Sequence, residues 1–142
     1  YYRNTNYFDL FFLFMISFTI VTDVGAYIFG TYFGGKKMLM SISPNKTYSG
    51  LIGGTIMPMV FAFLFYNQHP YLMFIFTCII LSLSVQLGDL LVSFLKRKFG
   101  VKDSSNLIPG HGGVLDRLDG FFLLIIVVSI LNVLGFNFFF MI

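Results

Sequence analysis

Apolar residues fill four stretches of this chain, and short polar segments separate them. The stretches run from about Phe8 to Phe29, Leu51 to Tyr66, Tyr71 to Leu95 and Phe121 to Ile142. A hydrocarbon core of about 30 Å needs roughly 20 apolar residues in helical form. The pattern therefore predicts an all-α, polytopic membrane protein with about four transmembrane helices. The second stretch is short and carries Gly53, Gly54 and Pro58, which predicts a tilted or kinked helix that packs closely. Beyond a strong aromatic bias, no internal repeat or low-complexity segment is visible.

Composition agrees. The 142 residues are 57% hydrophobic and 20% aromatic but only 11% charged, with a mean hydropathy of +0.86. A soluble domain carries about 25% charged residues, so lipid is expected to be the main solvent. The chain opens on Tyr1-Tyr-Arg-Asn, without a charged leader and cleavage site, and reads as a single catalytic membrane domain (1–142) taken from a longer protein. Cys78 is the lone cysteine, which excludes an internal disulfide and leaves the redox compartment open.

Charge placement orients the helices. With four spans, the segments Thr31–Gly50 and Lys96–Leu118 share one face of the membrane. That face holds Lys36, Lys37, Lys46, Lys96, Arg97, Lys98, Lys102 and Arg117, and the other holds only Arg3. Eight positive charges against one assign the first face to the cytoplasm.

Two acids interrupt the apolar runs. Asp23 lies roughly 12 Å, and Asp89 about 10 Å, inside the cytoplasmic ends of their helices at about 1.5 Å per residue. Intramembrane carboxylates usually face a bundle interior or a wet cavity. Bonding of Asp23 to a neighbouring Ser or Tyr is the structural alternative. Two acids at one depth repel, and a divalent cation between them would relieve the conflict. Gln86 and Gly88 stand beside Asp89.

The first cytoplasmic segment reads Ser41-Ile-Ser43-Pro44-Asn45-Lys46-Thr47-Tyr48-Ser49-Gly50. Hydroxyls, a lysine and a glycine just before a helix are suited to phosphate. A Ser-Pro-Asn turn with a helix cap, and lysines touching lipid headgroups, account equally well for much of it.

The richest polar stretch runs from Ser93 to Asp119, with five of the nine basic residues and three of the six acids. Asp116 and Asp119 are three apart at the start of the fourth helix and so share a face. Acids also cap helix starts, but capping leaves His111-Gly112-Gly113 and Arg117 unexplained. Glycines free backbone N–H groups for an anion. His111 suits phosphate, metal or proton transfer, and equally a structural role. No zinc spacing, nucleophile elbow, Walker loop or dinucleotide fingerprint is present, and the basic residues are too few to suggest nucleic acid. Together these features point to metal-assisted phosphoryl chemistry on a lipid.

The same stretch resembles the signature of the phosphatidate cytidylyltransferases, the CDP-diacylglycerol synthases. It stands here as Ser93, Lys96-Arg97, Lys102-Asp103, Pro109, His111-Gly112-Gly113 and Asp116-Arg117-Leu118-Asp119. Asp23-Val-Gly-Ala-Tyr27, Gly30, Ser43–Thr47 and Gln86-Leu-Gly88-Asp89 are similar to the family's other runs, in the family's order. The likeness is to the C-terminal half of such proteins. It implies Mg²⁺-dependent reaction of CTP with phosphatidate, in a bacterial inner membrane, with the site facing the cytoplasm. A second cation and a homodimer are compatible with the family.

The resemblance implies Asp89, Asp116 and Asp119 as metal ligands, with Asp23 next and Gln86 as a further candidate. Ser43, Lys46, Thr47, Gly112 and Gly113 fall to CTP, and Lys96, Arg97, Lys102, Asp103, His111 and Arg117 to catalysis around the phosphates. The competing readings are a CTP-dependent lipid-alcohol kinase of the polyprenol or dolichol type and, further off, a cation channel or transporter.

Overall fold

The computed structural model describes residues 2–64, 70–101 and 115–135, with side chains described over 9–64, 70–101 and 118–135. In chain order they form α1 (Tyr2–Tyr32), β1 (Lys37–Leu39), β2 (Ser43–Thr47), α2 (Tyr48–Phe63), α3 (Tyr71–Lys98) and α4 (Leu115–Val133). The architecture is mostly helical, as the hydropathy pattern predicts. One correction concerns 37–47, which pairs as an antiparallel hairpin where turn and loop are expected, with Lys37 opposite Thr47 and Leu39 opposite Ser43. Ser43, Pro44 and Asn45 lie in strand β2, and the reversal falls at Met40–Ile42. Gly34 and Gly35, both at positive φ, turn the chain out of α1 into this hairpin.

Among the described residues two helices are long and apolar enough to cross a membrane, Asp9–Tyr32 of α1 and all of α3. At 16 residues α2 is about 24 Å long, short of a core of about 30 Å. The apolar part of α4, Leu118–Val133, is also short, and residues 136–142 of the expected fourth span lie outside the described set. The described residues thus support two spans of the four expected.

α1 packs chiefly on α2, and α3 chiefly on α4, with α2 against α3 joining the two pairs. Glycine makes the first contact close. A Cβ on Gly53 would stand 2.3 Å from Phe29 Cβ and 2.7 Å from the Gly25 carbonyl oxygen. Phe14, Phe18, Cys78, Leu81, Val85, Leu124 and Val128 form the interior between the helices.

Hydroxyls inside this apolar packing satisfy themselves locally. Thr22 Oγ1 donates to Phe18 O at 2.8 Å, Thr77 to Met73 O at 2.8 Å and Ser84 to Ile80 O at 2.6 Å. No buried side-chain nitrogen or oxygen among the described residues lacks a partner. Outside, Leu13, Ile20, Val60, Leu72, Phe76 and Ile126 are all more than half exposed. Such an exterior is costly in water and suits lipid.

Candidate active site

The elements converge at the end of the bundle that carries the hairpin. Thr47 ends β2 in an extended conformation and caps α2, its Oγ1 accepting from Gly50 N at 3.1 Å. The same hydroxyl lies 2.9 Å from Ser49 Oγ, and Ser49 Oγ donates to the Gly34 carbonyl. This network locks the hairpin onto the start of α2. Thr47 is therefore a cap as well as a lining residue, and its hydroxyl is already engaged.

Lys46 precedes it and projects from β2 towards α3. Its Nζ forms an ion pair with Asp89 Oδ2 and donates to Gln86 O at 3.3 Å. Both partners are half-buried, at 25% and 34% side-chain exposure. In such surroundings an ion pair is screened less than at an open surface.

On α4, Asp119 is buried and accepts from its own neighbour, Gly120 N, at 2.8 Å. Its carboxyl lies within interaction range of Asp89 and of Lys96. Asp23, from α1, is acted on by the charges of Asp89 and Lys46. Asp23, Asp89 and Asp119 thus come from three helices to one cavity of about 360 Å³, with Lys46, Ser43, Thr47 and Gln86 also in its wall.

Three carboxylates face a single lysine in that lining. The excess negative charge, presented on hard oxygen donors, fits a divalent cation of the Mg²⁺ type. Among the described residues no three acids, histidines or cysteines approach closely enough to complete a metal cluster. The side chains of Asp116 and Arg117, and all of Lys102, Asp103, His111, Gly112 and Gly113, lie outside the described residues. Asp116 does belong to α4, one turn before Asp119.

The sequence pattern of the cytidylyltransferase family matches residues 1–134. The chain belongs to this family. It is 50% identical over 119 residues to the phosphatidate cytidylyltransferase of Staphylococcus haemolyticus, covering 80% of this chain and 44% of that protein. The phosphatidate cytidylyltransferase of Staphylococcus saprophyticus is 48% identical over 127 residues, covering 84% of this chain and 47% of the relative. The enzyme of that name from Staphylococcus aureus is 46% identical over the same length and the same shares. The chain spans a little under half the length of these relatives.

Other expected site residues lie at the end of α3 and along its inner face. Lys96 and Arg97 occupy the last turn of α3, where positive charge also complements the helix dipole. Arg97 Nε reaches Ile42 O at 3.5 Å, which ties α3 to the hairpin turn. Gln86 turns its amide to α2, with Nε2 3.4 Å from Leu51 O and 3.5 Å from Thr55 Oγ1. Tyr27, Met38 and Asn45 also line the cavity, though the sequence reading assigns them no role. Met38 is half-buried between exposed Lys37 and Leu39. An alternation over three residues is too short a signal to reveal a strand.

Proposed function

We propose that the protein is a phosphatidate cytidylyltransferase domain, which joins CTP to phosphatidate and yields CDP-diacylglycerol and pyrophosphate. The observation that carries this reading is the cavity where Lys46 meets Asp89, beside Asp23 and Asp119. Family membership and the names of the relatives support it further.

A phosphatidate phosphate oxygen attacks the α-phosphorus of CTP. The new P–O–P bond forms as the α–β bond breaks, and pyrophosphate takes the bonding pair. The attacking phosphate is already anionic near neutral pH, so this step needs no general base. Charge and alignment form the main barrier, and basic residues address both. Lys46 supplies a cation at the cavity wall, with Lys96 and Arg97 on the same side of the bundle. Lys102, His111 and Arg117 complete the proposed phosphate-binding set.

Asp89, Asp119 and Asp116 would hold Mg²⁺, with Asp23 nearby. When bound, the metal supplies positive charge against the phosphates as negative charge shifts to the leaving group. The site faces the cytoplasm of a multi-pass membrane protein, on the strength of the lysine and arginine asymmetry.

The test uses the full-length protein in liposomes with phosphatidate, Mg²⁺ and CTP labelled separately at the α- and γ-phosphates. Transfer of α-label into lipid, abolished by Asp116→Asn, is expected. Transfer of γ-label would make the protein a lipid kinase. Transfer of neither, by folded protein, would return the acids to an ion pathway.

A further inference from the structure

The Lys46–Asp89 pair poses a problem for the reading above, on which this inference rests. Lys46 Nζ holds Asp89 Oδ2, one of the two oxygens through which that carboxylate would take a metal, and it also donates to the Gln86 carbonyl. An ammonium group and a divalent cation repel at a shared oxygen, so both cannot hold it closely. Leaving Asp89 with neither is also unfavourable, because Asp23 and Asp119 face the same space.

The two walls that carry the pair differ. Asp89 stands directly on α3, next to buried Gly88, whereas Lys46 reaches across from β2 on a flexible four-carbon stem. The mobile partner is therefore the lysine. A substrate phosphate in the cavity gives that ammonium a second anion to bind.

We propose that Lys46 is an exchangeable counter-cation. It neutralises Asp89 while the cavity is free of substrate, and it moves to substrate phosphate when a divalent metal takes the carboxylate. The pair thus couples the metal site to the phosphate site. Each ligand raises the affinity of the other by the same factor, as linkage requires. Metal alone binds weakly because it must displace the lysine from Asp89 with no phosphate to receive it.

Mn²⁺ binding to the full-length protein, followed by electron paramagnetic resonance, tests this. The wild type is titrated alone, with CTP and with phosphatidate, correcting for Mn²⁺ held by each substrate in free solution. Substrate is expected to tighten Mn²⁺ binding by about 5- to 150-fold, the usual range of site-to-site coupling. The arm that does so identifies whether nucleotide or lipid phosphate receives Lys46.

Lys46→Met should tighten substrate-free Mn²⁺ binding by a similar factor and remove most of the substrate effect. Lys96→Met controls for loss of a nearby positive charge and should do much less. Lys46→Arg, which keeps a cation, should bind Mn²⁺ as weakly as the wild type. Equal substrate-free affinity in Lys46→Met and wild type would overturn the exchange, as would a wild type whose affinity ignores both substrates. Asp89→Asn separates the two levels of argument. Unchanged Mn²⁺ binding in that variant sinks the metal site itself, whereas its loss beside an inert Lys46→Met sinks only the exchange.

Discussion

Gly88 of α3 lies so close to Gly120 of α4 that a Cβ on Gly88 would stand 3.0 Å from the Gly120 Cα. It would also stand 2.8 Å from the Asp119 carbonyl oxygen. Each glycine is next to an acid of the cavity, Asp89 after Gly88 and Asp119 before Gly120. The backbone contact between the helices is thus what brings two carboxyls on different helices together.

Alanine at Gly88 should force the helices apart, since the obstruction is backbone and cannot swing away. The expected loss is about 1–3 kcal/mol, the usual cost of overpacking. Cytidylyl transfer should fall by more than the loss of folded protein, because the acids separate too. Thermal unfolding in detergent alongside turnover measures both, and an alanine variant of wild-type stability and activity would contradict the close packing.

Asp89→Asn and Asp119→Asn each keep the shape of the side chain and remove its charge. Both should lower transfer on the order of 100-fold or more, as loss of a preorganised charge typically does. Asp9, on the exposed face of α1, serves as the comparison. Its Asn variant should keep transfer within about twofold, as surface substitutions usually have small effects.

Gln86 bridges α3 to α2 through its amide, in a geometry suited to a cross-link. Gln86→Leu should cost about 0.5–1.5 kcal/mol from the lost hydrogen bonds. Mn²⁺ affinity should stay within about twofold if the residue is not a ligand, the limit being well under the tenfold that 1.4 kcal/mol represents. A tenfold drop would restore the amide to the metal shell.

Thr47→Ala removes the cap of α2 and should cost about 1 kcal/mol, while Thr47→Ser should recover most of it. Chemical denaturation of the purified protein reads the difference. No loss in the alanine variant would mean that Ser49 or water takes over the Gly50 amide.

Met40 sits at the exposed turn of the hairpin, and Cys78 is buried. In Met40→Cys, a membrane-impermeant thiol reagent should label inside-out vesicles and spare right-side-out ones. The opposite pattern would reverse the orientation inferred from charge.

The apolar blocks were legible because lipid imposes a simple rule, that a spanning backbone must satisfy its own hydrogen bonds as helix. Helical character and the interruption of apolar runs by Asp23 and Asp89 follow from counting along the chain. The hairpin was not legible. Its strands are short, Pro44 and Asn45 are poor strand formers, and their pairing depends on the glycine turn after α1 and on the cap at Thr47.

Family membership and the chemical types available can be read along the chain: acids set within apolar runs, clustered lysines and arginines, and glycines beside the acids. Which of these meet is settled by how the helices pack. Lys46 and Asp89 lie far apart in sequence, and nothing local says that the lysine will choose Asp89 over Asp23. Which groups of α2 the Gln86 amide meets likewise depends on where the Leu51 carbonyl and Thr55 hydroxyl arrive. Periodicity places a residue on a helix face. The crossing of two helices, set here by glycines that let backbones touch, decides what that face meets.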